Sequence, residues 1–78
     1  MEVTKGLVVK SKAGHDKGKF FVVLEFNGKY ASICDGKRRK LDNPKNKKEK
    51  HLSKTTRKLD QNLMVSNREI RKALSQFQ

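Results

Sequence analysis

The chain has 78 residues, 33% hydrophobic and 36% charged, and its 20 Lys and Arg against eight Asp and Glu give a net charge of +12. This length allows one domain with a small core. A membrane partner has only weak support, because no apolar run approaches the ~20 residues that a spanning helix needs. The excess positive charge predicts a polyanionic partner such as RNA or DNA.

Two features favour a cytoplasmic protein. Residues 1–4 show neither the basic start nor the apolar stretch of a secretory signal. Cys34 is the single cysteine, which excludes an internal disulfide. We therefore expect a cytoplasmic location and no membrane partner.

The first half of the chain predicts a β-meander. Strands are expected at 3–11 and 19–26, separated by a Gly-rich basic turn. The second strand is apolar on both faces, which places it at the centre of the sheet. One of its faces carries Phe20, Val22, Leu24 and Phe26.

Two turn signals follow. Asn27-Gly28 predicts a tight hairpin with positive φ at both positions, leading to a third strand at 29–35. Asp35-Gly36 repeats the signal and introduces a fourth, very basic edge strand at 37–41. A basic loop at 43–50 and a last short strand at 51–53 complete the predicted sheet.

The C-terminal part changes to a helical period. Ser66 and Glu69 fit a capping box, and the residues after it have the apolar spacing of an amphipathic helix of about three turns. Its apolar face carries Ile70, Ala73, Leu74 and Phe77. A shorter helical turn is expected around 59–64. The sequence leaves open whether the helix docks on the sheet or on a partner.

These elements predict a mainly β fold, namely a small half-open barrel of four to five short antiparallel strands with a short C-terminal α-helix. We expect residues 1–54 to form the barrel and residues 55–78 to form the helical extension.

The turn between the first two strands is a candidate phosphate site. Gly14 and Gly18 permit positive φ, and the turn N–H groups are expected to face outward together with nearby lysine ammonium groups. The alternative is a glycine turn with solubilising lysines. The spacing differs from that of a Walker A loop.

The later basic segment holds most of the charge, since residues 37–58 contain eleven Lys and Arg against two acids. A cluster at 37–40 can contact RNA, or it can protect an edge strand from aggregation. Lysines at 45–50 predict sequence-independent phosphate attraction, the alternative being a flexible, solvated segment.

Residues 5–35 resemble a KOW motif, the strand–loop–strand unit of several ribosomal proteins and of NusG/Spt5-type elongation factors. The resemblance rests on Gly6-Leu7-Val8-Val9, Ala13 to Lys19, and Phe20-Phe21-Val22-Val23. Phe20-Phe21 stand where many KOW motifs have a glycine. This feature and the remainder of the chain resemble the large-subunit ribosomal proteins of the fourteen-e, six-e and twenty-seven-e group, in a small bacterial form.

The resemblance implies an SH3-like barrel and a ribosome-associated protein that binds ribosomal RNA, with ribosomal proteins as further partners. It does not transfer a defined binding site, so the RNA-contacting residues are chosen by chemistry and position. The candidates are Lys10, Lys12, Gly14, His15, Lys17, Lys19, Lys37, Arg38, Arg39, Lys40, Lys45, Lys47, Lys48 and Lys50.

Other functions have weaker support. His15 and His51 lack partners at metal-ligand spacing, so we expect no metal and no cofactor. Cys34 lies in a predicted buried strand, as expected of a structural thiol. No acid, base or nucleophile constellation is visible, which argues against an enzyme. The alternative function is a transcription-elongation-type KOW module that acts through protein contacts. Which RNA is bound, for how long, and in what oligomeric state remain open.

Overall fold

The computed structural model describes residues 2–77. Its strands and helix are β1 (Leu7–Ser11), β2 (Phe20–Phe26), β3 (Tyr30–Cys34), β4 (Lys45–Lys48), β5 (Leu52–Lys58) and α1 (Asn67–Leu74). Short 3-10 turns lie at Gly14–Asp16, Glu49–His51, Gln61–Met64 and Ser75–Phe77.

The five strands form one antiparallel sheet in the order β4-β3-β2-β1-β5. β2 is central, as its two apolar faces predicted. The sheet, with its 3-10 turn between β4 and β5, is a small, half-open SH3-like barrel with a short C-terminal helix. The predicted fold class is confirmed.

The predicted edge strand at 37–41 is wrong, because this segment is a loop. Asp35 Oδ1 accepts hydrogen bonds from the N–H groups of Lys37, Arg38 and Arg39 at 2.9, 3.0 and 2.9 Å. The Arg39 carbonyl in turn accepts from the N–H groups of Asp35 and Gly36. Aspartate competes well for nearby backbone donors, and here it bends the chain away from the sheet.

The edge strand lies a few residues later. Lys45–Lys48 forms β4, where a loop covering 43–50 was predicted, and pairs with β3 from Tyr30↔Lys48 to Ile33↔Lys45. The last strand is also longer than the predicted 51–53. Backbone pairing at a free sheet edge outweighs the weak strand propensity of lysine.

A bulge in β2 changes one predicted orientation. The pairing with β3 shifts register between Val23 and Glu25, so that Leu24 is the extra residue. Phe26 therefore packs against the cluster inside the barrel rather than on the face of Phe20 and Leu24.

The β2–β3 hairpin has a different turn from the predicted one. Among residues 2–77 only glycines have positive φ, so Asn27 does not, whereas Gly28 has φ 96°. Asn27 instead accepts hydrogen bonds at Oδ1 from the N–H groups of Lys29 and Tyr30, at 3.0 and 2.7 Å. The side chain replaces a backbone turn.

Apolar side chains form two clusters, one on each side of the sheet. The inner cluster fills the barrel and comprises Val3, Leu7, Val9, Phe21, Val23, Ala31, Ile33 and Leu52. The outer cluster joins the opposite face to the C-terminal segment and comprises Val8, Val22, Cys34, Leu59, Met64, Ile70 and Leu74. The helix therefore docks on the barrel, which resolves the question that the sequence left open.

Local signals place α1 on this face. Ser66 is the N-cap, as predicted, and its Oγ accepts a hydrogen bond from the Glu69 N–H at 3.2 Å. Within residues 2–77 the return bond from the Ser66 N–H to the Glu69 side chain, which would complete the predicted capping box, is not formed. Gly36 has φ 76°, and a Cβ there would collide with the Asn67 carbonyl oxygen. The Leu41 N–H donates to Asn67 Oδ1 at 2.7 Å. The loop 35–41 thus packs tightly on the start of the helix.

In the part of the chain from 2 to 77, no helix is long and apolar enough to cross a membrane.

Candidate nucleic-acid interface

The loop between β1 and β2 encloses an aspartate. Gly14–Asp16 forms a 3-10 turn, and both Gly14 and Gly18 have the positive φ that was predicted. Asp16 is only 1% exposed, while the neighbouring side chains of His15 and Lys17 point to solvent. The loop therefore buries its one carboxylate and displays its cations.

The backbone of this loop does not match the predicted phosphate cradle. The N–H groups of Lys17, Gly18 and Lys19 donate to the carbonyls of Gly14, Ser11 and Asp16 at 3.2, 2.8 and 3.0 Å. These donors hold the loop in shape and are not free for a ligand. What residues 17–19 offer to a phosphate is the two lysine ammonium groups.

Asp16 joins this loop to two distant basic segments. Its Oδ2 lies 3.7 Å from Arg39 Nη2 and 3.7 Å from Lys45 Nζ. Both partner side chains remain about one-third exposed, at 35% and 34%. Asp16 Oδ2 makes no hydrogen bond within residues 2–77, so the contact is an electrostatic one. One carboxylate thus brings the loops 12–19 and 35–41 and the start of β4 together.

Lys47 has a different role from the one predicted for it. Its side chain is buried, at 8% exposure, and its Nζ donates to Ser11 Oγ and to the Ala13 carbonyl, each at 2.7 Å. Burial lowers the pKa of Lys47; repulsion from Lys45 and Arg39 acts in the same direction, and attraction to Asp16 opposes it. Lys47 holds the loop to β4 and does not face a ligand.

A basic cleft of about 240 Å³ lies beside the same loop and is lined by Lys19, Asp35, Lys37, Arg38 and Arg71. Asp35 already accepts three backbone hydrogen bonds through Oδ1. Four cationic side chains therefore line the cleft together with one carboxylate that backbone donors already engage. Such a cleft suits phosphate oxygens, with arginine able to bind them in a bidentate manner.

Arg71 was missed by the sequence analysis. It lies on α1 and reaches the cleft because the helix docks beside the loop 35–41. In the sequence, the capping box and Gly36 are the features that indicate a helix packed against the loop 35–41. Only the docked helix shows that Arg71 is the cation that reaches the cleft.

The other predicted residues are divided between two surfaces. Lys10, Lys12 and Lys40 are exposed, and Lys10 Nζ lies 5.5 Å from the centre of the Phe20 ring. Lys48 and Lys50 lie elsewhere, in a groove of about 370 Å³ that they share with Gly28, Lys29 and Glu49. Alternation along β4 explains the division, since Lys45 and Lys47 turn towards Asp16 and Ser11 while Lys48 turns to the opposite face, beside Tyr30.

Strand β5 adds cations that were not predicted as site residues. Lys54 pairs with Glu49 at 3.7 Å, and Arg57 stacks 5.7 Å from the centre of the Phe77 ring. Lys58 is exposed next to them. These side chains extend the positive surface along the second sheet edge.

Cys34 has the environment of a structural thiol. It is buried in the outer cluster. Burial, with the nearby charge of Asp35, raises the pKa of Cys34 to about 11, and a backbone hydrogen bond from Gly36 opposes the shift. The thiol is therefore protonated at neutral pH. Between residues 2 and 77, no group of three or more His, Cys, Asp and Glu side chains could hold a metal ion.

Neither a protein-family model nor a curated protein sequence matches this chain.

Proposed function

We propose that the chain is a non-catalytic, cytoplasmic RNA-binding protein of the KOW type, which associates with the ribosome and contacts the backbone of ribosomal RNA. The observation that carries the proposal is the convergence of basic segments around the loop 12–19. Lys19 of this loop, Lys37 and Arg38 of the loop 35–41, and Arg71 of α1 are distant in sequence, and they line one basic cleft. Asp16 of the same loop also holds Arg39 and Lys45 close by.

The chemistry of this surface suits a phosphate backbone. Its exposed side chains are mainly lysine and arginine, and its carboxylates are engaged, Asp16 by two cations and Asp35 by backbone donors. An electrostatic surface of this kind positions an RNA and responds to its shape more than to its sequence.

A binding titration with purified protein and ribosomal RNA tests the contact directly. If about six phosphates are neutralised, the logarithm of the association constant falls with the logarithm of the salt concentration with a slope of roughly −4 to −5. A flat salt response contradicts the proposal, because a contact formed by ammonium and guanidinium groups must release counterions.

Sedimentation of a cell extract tests the ribosomal part. We expect the protein to co-migrate with ribosomal subunits at low salt and to leave them at high salt. Crosslinking in the low-salt fractions then identifies the RNA. Migration as a free protein at low salt would contradict ribosome association while leaving RNA binding intact.

A second candidate is the elongation-type module that acts through protein contacts. It is favoured by two exposed apolar side chains next to α1, Val65 at 72% and Leu63 at 37% exposure. The same fractionation separates the two, because association with RNA polymerase that survives ribonuclease supports this candidate.

A further inference from the structure

A polar groove of about 480 Å³ lies near the β2–β3 hairpin, at the far end of β2 from the loop 12–19. It is lined by Glu25, Phe26, Asn27, Tyr30, Ser32 and Asn46. Glu25, Ser32 and Asn46 are neighbours across three strands, in the pairs Glu25↔Ser32 and Ser32↔Asn46. We call this surface the hairpin groove.

The groove presents oriented hydrogen-bonding groups. Ser32 Oγ donates to Asn46 Oδ1 at 2.8 Å, and the two N–H donors of the exposed Asn46 amide have no partner among residues 2–77, so they can bind a ligand. Glu25 is exposed and makes no ion pair within the described chain, so its carboxylate is free to accept. Donors and acceptors therefore stand side by side on one sheet face.

Tyr30 supplies a flat surface at the same place. It is 38% exposed, and Lys29 Nζ lies 5.8 Å from the centre of its ring. Aromatic side chains exposed next to cations are the groups on which unpaired bases stack. The ring and the polar groups together form a surface with the chemistry of a base-binding site.

The carboxylate of Glu25 favours a base over a phosphate as the ligand of the hairpin groove. A phosphate placed here would be repelled, whereas a base brings N–H donors that a carboxylate accepts. Guanine offers two adjacent N–H donors on its Watson–Crick edge, which match the two carboxylate oxygens. The Glu25 side chain therefore favours guanine over bases without this pair of donors.

Lysines border the groove on the side of β4. Lys48 pairs with Tyr30 in the β3–β4 ladder, and it shares a neighbouring groove with Lys29 and Lys50. The phosphates that flank a base on Tyr30 would lie next to these cations. The arrangement thus provides for one nucleotide, with its base on the polar groove and its phosphates on the lysines.

We propose that the hairpin groove binds one unpaired base of an RNA, preferentially guanine, stacked on Tyr30 and bonded to Glu25 and Asn46. This site rests on the proposed RNA-binding function and adds base recognition to its backbone contacts. The loop 12–19 and its cleft then attract the backbone, while the hairpin groove selects an unpaired nucleotide.

Fluorescence anisotropy with the full chain tests the site. The probes are a short uridine strand with one central guanosine, the same strand with adenosine there, and a blunt duplex of equal length. We expect Tyr30→Leu and Asn46→Ala to weaken binding of the guanosine strand about ten-fold. Duplex binding and the salt slope should stay unchanged, because no phosphate contact is removed.

Two further variants test the base preference and provide a control. Glu25→Gln should reduce the preference for guanosine over adenosine, since an amide can accept only through one oxygen. Leu63→Ser is the matched control, because Leu63 is as exposed as Tyr30 and lies on another surface. It should leave all three affinities unchanged.

The outcomes separate the two proposals. Suppose that the wild-type protein binds the probes with a steep salt slope, and that Tyr30→Leu and Asn46→Ala bind them as tightly as the wild type. The proposal that the hairpin groove binds a base is then overturned, and the proposal of backbone binding stands. The base-binding proposal is also overturned if these two variants weaken binding of the guanosine strand and of the duplex equally. If the wild-type protein binds none of the probes, nor ribosomal RNA, both proposals fail.

Discussion

Lys47 Nζ donates a hydrogen bond to Ser11 Oγ at 2.7 Å, although Lys47 belongs to β4 and Ser11 to β1, which are not neighbours in the sheet. This bond crosses the interior side of the half-open barrel and, with the bond to the Ala13 carbonyl, fixes the start of the loop 12–19. A lysine within a run of basic residues thus acts as a structural cross-link.

Replacing this cross-link should affect stability. We expect Lys47→Met to lower the free energy of unfolding by about 1–3 kcal/mol, because Ser11 and Ala13 lose a donor at a buried site. Lys48→Met is the matched control, since Lys48 makes no such bonds to any residue from 2 to 77, and it should stay within about 0.5 kcal/mol of wild type. Urea denaturation measures both. Equal effects at the two positions would contradict the structural role of Lys47.

Asp16 should be needed to hold the basic segments together. We expect Asp16→Asn to cost about 1–3 kcal/mol of folding free energy, a range that allows for solvent screening of its partly exposed partners Arg39 and Lys45. The loss should shrink at high salt, because repulsion among the remaining cations is screened. Asp42→Asn, at an exposed carboxylate, should show neither effect in the same unfolding experiments.

The close approach of Gly36 to α1 predicts a difference between two glycines. At Gly18, a Cβ would meet no atom within 4 Å in the described part of the chain, so Gly18→Ala should cost only the strain of positive φ, about 1–2 kcal/mol. Gly36→Ala has the same strain and also collides with the Asn67 carbonyl, so it should cost more. Thermal unfolding of the two variants compares them. A similar loss in both would mean that the loop 35–41 can move away from the helix.

A substitution of Arg71 tests whether the basic cleft binds RNA. Arg71→Ala should weaken RNA binding and reduce the steepness of the salt slope by about 0.7–0.9, the contribution of one phosphate contact. Arg68→Ala removes an exposed cation of the same helix that does not line the cleft. It should change the slope much less. Anisotropy titrations over a salt series measure both, and equal slopes for the two variants would remove Arg71 from the interface.

Cys34 should make stability depend on alkaline pH. Its pKa rises from 9.0 to about 11 on folding, so above pH 9 the unfolded chain loses its thiol proton first. Deprotonation then favours the unfolded state, and stability falls as pH rises from 9 to 11, by about 2 kcal/mol at the upper end. Cys34→Ala lacks this loss, and the difference between the two urea midpoints across this pH range isolates it. Parallel pH profiles would contradict the shift.

Much of the fold follows from local patterns in the sequence. The two apolar faces of β2 predict that it is central. Alternation predicts that Phe20, Val22 and Leu24 share a face, since period two is a property of any strand. The spacing after Ser66 predicts both the cap and the buried face of α1, because capping involves residues only three apart. No local pattern in the sequence indicates the bulge at Leu24, and the orientation predicted for Phe26 was wrong for that reason.

The basic segments show what only the tertiary structure decides. The sequence by itself determined that cations dominate residues 37–58 and flank a glycine turn. It could not determine that Lys47 is buried, that Lys45–Lys48 is a strand, or that Arg71 joins Lys19. A lysine contributes the same charge and the same local propensity to the sequence whether it cross-links strands or faces solvent. Its role depends on acceptors and charges from distant segments, such as Ser11 and Asp16, which only the folded chain brings within reach.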